Sequence, residues 1–252
     1  GMAGTGSMGG VLSALCNFVY RRATRIIAQS RGIAARLVER GVPVAKVDVV
    51  YNWADENAAR PLRLCALSGY GLEGRFNVVY GGNLGVMQGL DTLIRAAHLA
   101  VKRLPNLQLL LIGDGADRAR LVSVRDELGA TNVRIATGVP RNQIGDVFAA
   151  ADVLALHLVN DPLFEITIPQ KTQFYLAVGK PILCGVKGEA AAFLIASKAG
   201  LAVEPGDVQG MADAMFEFGM IAQSEPEAMG PRCSPAYATN FSFSKAIDAT
   251  SK

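Results

Sequence analysis

One lysine, one histidine and a set of glycine-bearing loops are the groups in this sequence whose types and spacing suit the holding of an anion. The first loop, "YGGNLGVMQGL" (residues 80–90), sets Gly81, Gly82 and Gly85 where an apolar run gives way to a helical pattern. Glycine lets the backbone approach a ligand closely or adopt positive φ. The N–H groups at a following helix start favour negative charge. Gly82, Asn83, Leu84 and Gly85, with Gln88 behind them, are therefore candidate phosphate contacts; the alternative is a tight strand-to-helix turn. The loop is neither GxGxxG nor GK[ST], and no acid closes the next strand, so a dinucleotide or Walker-type site is not indicated.

The second loop is "LLIGDGADRARL" (residues 110–121). Gly113, Asp114 and Gly115 follow an apolar run, and Asp114 is expected to cap the next helix or to lie beside a nucleotide base. The third stretch, "HLVNDPLFEITIPQKTQFYLAVGKPIL" (residues 157–183), is the richest. Thr167, Ile168 and Pro169 lead into a helix with Lys171 and Thr172 in its first turn. Proline suits that position, but a cation there opposes the helix dipole. A bound diphosphate held by the helix N–H groups, Lys171 and Thr172 would reconcile the two; a solvated lysine is the plain alternative. In "CGVKGEAAAFL", Glu189 opens another helix and is a candidate for ribose hydroxyls. His157 ends a strand on the ligand side and is a candidate sugar contact or a structural histidine. No DxD pair and no His/Asp/Glu cluster with metal-ligand spacing occurs, so no metal and no cofactor is expected.

These loops need a scaffold that brings them to one edge. Six apolar runs (residues 76–82, 107–113, 133–138, 152–158, 181–186 and 201–205) alternate with helical segments (89–104, 116–128, 142–150, 189–199 and 208–222). Continuous apolar strands alternating with helices imply a parallel sheet covered on both faces. Right-handed crossovers make it doubly wound, an α/β Rossmann-like sheet of about six strands, with ligands beyond the carboxyl ends. Upstream, residues 11–22 read as a helix, 24–30 as a strand, 32–40 as a helix and 46–52 as a strand. Residues 53–75 read as a linker, with Trp53 packing between domains. The opening "GMAGTGSMGG" (residues 1–10) is read as a disordered tag or linker. Residues 11–60 form a small first unit and 61–252 the main domain, ending in a short helix after Phe241 that Ser242 or Ser244 caps.

The chain has 252 residues, half of them apolar, and a net charge of +3 without a basic run interleaved with aromatics, which argues against nucleic acid. Arg21, Arg22 and Arg25 read as a solvated helix end, with a membrane-surface contact as the alternative. Cys16, Cys65, Cys184 and Cys233 form no CxxC pair, Cys184 reads as a core residue, and a reducing compartment fits. No stretch approaches the roughly 20 apolar residues of a membrane span.

Taken in order, "GGNLGVMQGLDTLIRAA", "LLIGDGADRARL", "VPRNQIGDVFAAADVLALHL" and "TIPQKTQFYLAVGKPIL" resemble the family 4 glycosyltransferases, also called glycosyl transferases group 1. "DPLFEITIPQKTQFYLAVGKPIL" is similar to bacterial transferases that build surface polysaccharides with amino or deoxy sugars. The resemblance implies the GT-B arrangement of two Rossmann-like halves. The main domain would be the donor half, and residues 11–60 the end of the acceptor half, most of which has no counterpart here, as in a truncated chain. It implies retaining transfer from a nucleoside diphosphate sugar, UDP-linked, to a glycan or lipid-linked acceptor. Lys171 would stabilise the leaving group without a metal held by DxD. The implied setting is cytoplasmic, at the inner face of the membrane, with peripheral membrane contact and a homodimer of the shortened chain as further partners. The fragment alone is expected to be inactive. A sugar-nucleotide epimerase of the same architecture and a non-catalytic nucleotide-binding module are the alternative readings. The broad family carries basic groups where this chain has Leu84 and Gln88. It also has two glutamates eight positions apart, where this chain has Ile166 and Phe174, with Glu165 one residue away. The departures concentrate the implied phosphate role on Lys171 and backbone N–H groups.

Overall fold

The computed structural model describes residues 7–60, 69–71, 73–224 and 230–250. The first unit runs α1 (Ser7–Arg22), β1 (Ile26–Ala28), α2 (Arg31–Glu39) and β2 (Val47–Val49), with β1 and β2 paired in parallel. Residues 7–10, expected in a disordered tag, belong to helix α1; the rest of that expectation, residues 1–6, lies outside the described residues. The linker region contains the short helix α3 (Glu56–Ala59), started by the Asp55 carboxylate accepting the Ala58 N–H at 3.2 Å. Trp53 is half exposed and packs edge-on against Phe243, with ring centroids 5.3 Å apart, so it meets the C-terminal helix.

The main domain alternates β3 (Phe76–Gly81), α4 (Asp91–Ala100), β4 (Leu107–Ile112), α5 (Arg118–Glu127), β5 (Val133–Ala136), α6 (Ile144–Ala149) and β6 (Val153–His157). It continues with α7 (Pro162–Glu165), α8 (Gln170–Val178), β7 (Ile182–Gly185), α9 (Glu189–Ala196), β8 (Gly200–Ala202) and α10 (Val208–Ser224). Six parallel strands lie in the order β5-β4-β3-β6-β7-β8, as the six apolar runs predicted. The chain builds outward from β3 and then returns to lay β6 on its other side, in the register Val78 to Val153. The strand order reverses between β3 and β6, and that switch point is where open α/β sheets take their ligands.

All six residues of β3 and all six of β4 are buried, which is what a sheet covered on both faces requires. Alternate residues serve opposite layers. Val78, Tyr80, Leu109 and Leu111 pack with α4 and α10, while Val79, Leu110 and Leu154 pack with α6, α8 and α9. Cys184 belongs to the second layer, as expected of a core residue. The expected terminal helix is α12 (Phe243–Thr250), with the Ser242 hydroxyl accepting the Lys245 N–H at 3.4 Å. Sequence reasoning missed α11 (Gly230–Asn240), whose interior Pro235 hides its periodicity. This helix places the Tyr237 hydroxyl to accept the Ala54 N–H at 3.1 Å and to donate to Glu56 at 3.0 Å, tying the linker to the main domain.

Candidate functional site

A pocket of about 430 Å³ opens beyond the carboxyl ends of β3, β4 and β5, walled on one side by the start of α8. Gly81, Gly82, Gly113 and Asp114 supply one wall, and Gln170 and Lys171 supply the helix side. Five of the residues singled out from the sequence thus meet in one place: Gly81, Gly82, Gly113, Asp114 and Lys171. Their convergence follows from topology, since each loop leaves the same edge of the sheet.

The first two loops are locked by backbone contact. The Gly82 N–H donates to Ile112 O and the Leu84 N–H to Asp114 O, both at 2.9 Å. Gly113 has φ 154°, and a Cβ there would lie 1.8 Å from the Gly82 carbonyl oxygen, so the approach demands glycine. Gly115 meets the Leu84 carbonyl in the same way. Two consequences correct the sequence reading. The Gly82 and Leu84 N–H groups serve the protein itself, leaving Asn83 and Gly85 as this loop's candidate donors. Asp114 does not cap α5. Its carboxylate accepts the Gly138 N–H at 3.2 Å and so joins the β4 and β5 loops, while α5 starts after Asp117, which pairs with Arg120 at 2.7 Å.

After Gly85 the chain makes a single 3₁₀ turn, Val86–Gln88, before α4 begins at Asp91. The helix start expected at Gly85 therefore lies further on. Gln88 is folded inward: its side-chain oxygen lies 3.1 Å from the Tyr80 hydroxyl and 3.5 Å from Lys171 Nζ.

Helix α8 starts after Pro169 without a side-chain cap, leaving its first N–H groups and positive dipole end at the pocket. Lys171 runs beside Gly82, where a Cβ would lie 2.8 Å from Lys171 Cε. Its amine sits 3.9 Å from the centre of the Tyr80 ring and bonds the Tyr80 hydroxyl. Burial pulls the amine's pKa down to about 7, because few neighbours replace the water a charge would need.

The remaining candidates divide. Thr172 is fully buried and its hydroxyl has no partner among the described residues, so it packs beneath the helix and does not reach the pocket. Thr167 donates its hydroxyl to Leu163 O at 3.1 Å, and Ile168 is a core residue. None of Thr167, Ile168 and Pro169 lines the pocket, although Pro169 aims α8 at it.

His157 is buried, with both ring nitrogens engaged by backbone. Nδ1 lies 2.7 Å from the Gln88 carbonyl oxygen, and the Gly206 N–H donates to Nε2 at 3.2 Å. The second bond makes Nε2 an acceptor, so Nδ1 carries the proton. Burial lowers the ring's pKa and keeps it neutral. His157 clasps the first loop to the β8–α10 turn and does not line the pocket. Glu189 likewise faces the first unit. Its carboxylate accepts the Tyr51 hydroxyl at 2.6 Å and the Gly32 N–H at 3.2 Å, and so is already occupied by protein donors.

Sequence reasoning missed the apolar floor. Phe148 packs edge-to-face on Tyr175 at 5.0 Å and on Phe174 at 5.9 Å between ring centroids. These three line the pocket together with Val139 and Ile144. Arg141 stands at the rim, 3.4 Å from Asp55 of the linker. The signal that could have found Arg141 and Phe148 was the apolar run ending "ATGVPRNQIGDVF", which must leave the same sheet edge as the other loops. Among the described residues, no group of three or more His, Cys, Asp or Glu is placed to hold a metal ion. No helix among them is long and apolar enough to cross a membrane.

An open, doubly wound parallel sheet with a ligand-sized pocket at its switch point defines a Rossmann-like binding domain, one half of the GT-B architecture. The chain belongs to the family described as glycosyl transferases group 1, which matches residues 75–218. It is 26 % identical over 178 residues to the probable glycosyltransferase WbjE of Pseudomonas aeruginosa, covering 69 % of this chain and 43 % of that protein. It is 24 % identical over 215 residues to a D-inositol 3-phosphate glycosyltransferase of Corynebacterium urealyticum, covering 82 % and 47 %. The chain thus spans about half the length of these curated relatives. Among solved structures it is similar in fold to Anabaena Alr3699/HepE in complex with UDP and glucose. That match has a TM-score of 0.76 and 19 % identity, covering 95 % of this chain and 64 % of that one. The lipopolysaccharide-biosynthesis glycosyltransferase WaaG matches with a TM-score of 0.71 and 16 % identity, covering 89 % and 61 %.

Proposed function

We propose that this chain carries the donor-binding half of a retaining transferase that takes sugar from a nucleoside diphosphate sugar, UDP-linked, and passes it to a glycan or lipid-linked acceptor in bacterial polysaccharide assembly. The observation that carries the reading is the meeting of Lys171 and the uncapped start of α8 with Gly82 at the rim of a pocket with an aromatic floor. Bond cleavage at the sugar leaves negative charge on the departing diphosphate. Fixed N–H dipoles and an amine placed there lower the barrier because they strengthen as the charge develops. The aromatic floor of Phe148, Phe174 and Tyr175 suits a flat base or a sugar face. The family relationship and the UDP complexes of Anabaena HepE support the same donor.

Residues 11–60 are, in this proposal, the end of an acceptor-binding half. Its paired strands and α2 bury only a small cluster, Ala28, Leu37 and Val42, and α1 leaves Val11, Leu12, Leu15, Phe18 and Val19 exposed along one side. In this proposal the acceptor is held mainly by the other half, so residues 1–252 by themselves are expected to give no transfer. In the intact enzyme, retention is checked by the anomeric configuration of the product in NMR.

Calorimetric titration with UDP tests the site. Binding in the micromolar range that weakens about tenfold or more in Lys171→Ala is the expected result, equivalent to about 1.4 kcal/mol. Binding weaker than about millimolar, or binding indifferent to that substitution, overturns the assignment.

A further inference from the structure

Lys171 does not point its amine at the open pocket. It lies back across Gly82, its Nζ over the Tyr80 ring and against the Tyr80 hydroxyl, with the Gln88 side-chain oxygen 3.5 Å away. Tyr80 itself is fully buried and fixed. It projects from the middle of the sheet, and its hydroxyl donates to Asn83 O at 2.7 Å. The tyrosine thus holds two things at once: the carbonyl of the first loop and the amine of the helix across from it.

The seat offers no counter-charge. Tyr80 from β3 and Tyr175 from the next turn of α8 face it as neutral phenols, both kept protonated by burial. Gln88 is uncharged, and His157, which bonds the Gln88 carbonyl, is held neutral. Asp114 and Arg141 line the pocket with Lys171, Asp114 occupied by the Gly138 N–H and Arg141 by Asp55, and Asp91 lies beyond His157 at the start of α4. Burial strips water from the amine and so disfavours its charge. A lysine so placed holds its charge weakly, and something negative within reach shifts it toward the ammonium.

We propose that Tyr80 is a positioning residue that seats Lys171 back from the pocket, so that an anion entering beside Gly82 draws the amine off Tyr80 and brings a proton from solvent onto it. The inference rests on the donor-site reading above and deepens it, because the chain then binds its diphosphate together with one proton. Recognition is directed at a fully ionised diphosphate, since an uncharged ligand supplies nothing to lift the lysine from its seat. The Asn83 carbonyl, bonded to the same hydroxyl, ties the first loop to this seat.

Lysine side-chain NMR on ¹³C-labelled protein, with the signal assigned through Lys171→Arg, tests the seat directly. Free wild-type protein should show Lys171 titrating near 7, and saturating UDP should move that titration upward by roughly two units or more. UDP affinity should then weaken roughly six- to eightfold between pH 7.5 and 8.5, as linkage to one proton requires. Tyr80→Phe keeps the ring but loses the hydroxyl; its affinity should change less than about twofold over that interval, with Lys171 titrating closer to an ordinary lysine. Should Tyr80→Phe fold poorly, Lys171→Met supplies the second test, since its residual affinity must not vary with pH. A free-protein Lys171 titrating in the ordinary lysine range overturns the proposal, as does UDP binding without pH dependence, or a Tyr80→Phe variant that behaves as wild type. If UDP does not bind at all, the donor reading fails. The seat is then still decided by the free-protein titration and its change in Tyr80→Phe.

Discussion

Tyr51 donates its hydroxyl to Glu189 at 2.6 Å, joining the end of the first unit to the opening turn of α9. The same carboxylate takes the Gly32 N–H, and nearby the Ser30 hydroxyl donates to Ile166 O. The Tyr51 hydroxyl is held protonated with a pKa pushed up to about 12, by burial first and then by the adjacent carboxylate. Removing one partner of such a charge-assisted bond costs about 1.5–3 kcal/mol. Urea unfolding of Tyr51→Phe should show a loss near the low end of that range. Glu189→Ala should lose more, because two donors are then left without their acceptor. Unchanged midpoints in both would show that the two units are held by other contacts.

His157 gives the fold a defined pH response. Its folded-state pKa lies below the unfolded value of 6.5, so the unfolded chain binds more protons in the window between them. Stability is then complete above about 6.5 and falls as pH drops through the lowered folded pKa. Protonation would also break the bond from the Gly206 N–H. Melting temperatures measured from pH 7.5 to 5.5 should fall for wild type, and fall less steeply for His157→Gln. Parallel curves for the two proteins would remove His157 from the response.

Gly82→Ala should damage the site out of proportion to its size. The residue has φ 132°, and an added methyl would press on the Lys171 stem 2.8 Å away. Backbone strain of this sort costs about 1–3 kcal/mol of stability. Displacement of the amine should weaken UDP binding at least about tenfold, or about 1.4 kcal/mol. Calorimetry beside a denaturation curve separates the two effects; a variant with normal affinity would show that Lys171 tolerates a different path.

Phe148 supports both the core and the pocket floor. It is 3 % exposed and packs against two aromatic rings, and its own ring edge lies where a Cβ on Gly81 would fall, 2.3 Å away. Truncation of a buried phenylalanine to alanine typically costs about 3–5 kcal/mol. Denaturant unfolding of Phe148→Ala should show a loss in that range, and a loss below about 1 kcal/mol would mean that the floor rearranges to fill the space.

Much of the fold was legible because parallel strands buried on both faces must be apolar throughout. The six runs ending at glycine, leucine, valine or proline therefore announced β3 to β8. Helix α11 was not legible, because Pro235 and a polar run interrupt its period while its buried Cys233 and Tyr237 are only two residues. In the site, Gly82, Gly113, Asp114 and Lys171 were readable from loop position. Asp114, Glu189 and His157 stood out as polar groups at strand ends or helix starts, but their partners are backbone atoms or side chains from 24 to 157 positions away. No local pattern encodes such a pairing.

The sequence alone determined the class of sheet, the edge from which its loops project and the presence of a cation against the dipole of α8. Those properties follow from hydrophobic period and residue type, which are local. Only the tertiary structure decided which polar groups face the pocket. It turned Glu189 toward Tyr51, enclosed His157 between two backbone segments, buried Thr172, and laid Lys171 over Tyr80. Each outcome depends on which remote atom reaches the group first, because a buried polar atom takes the partner that packing brings to it.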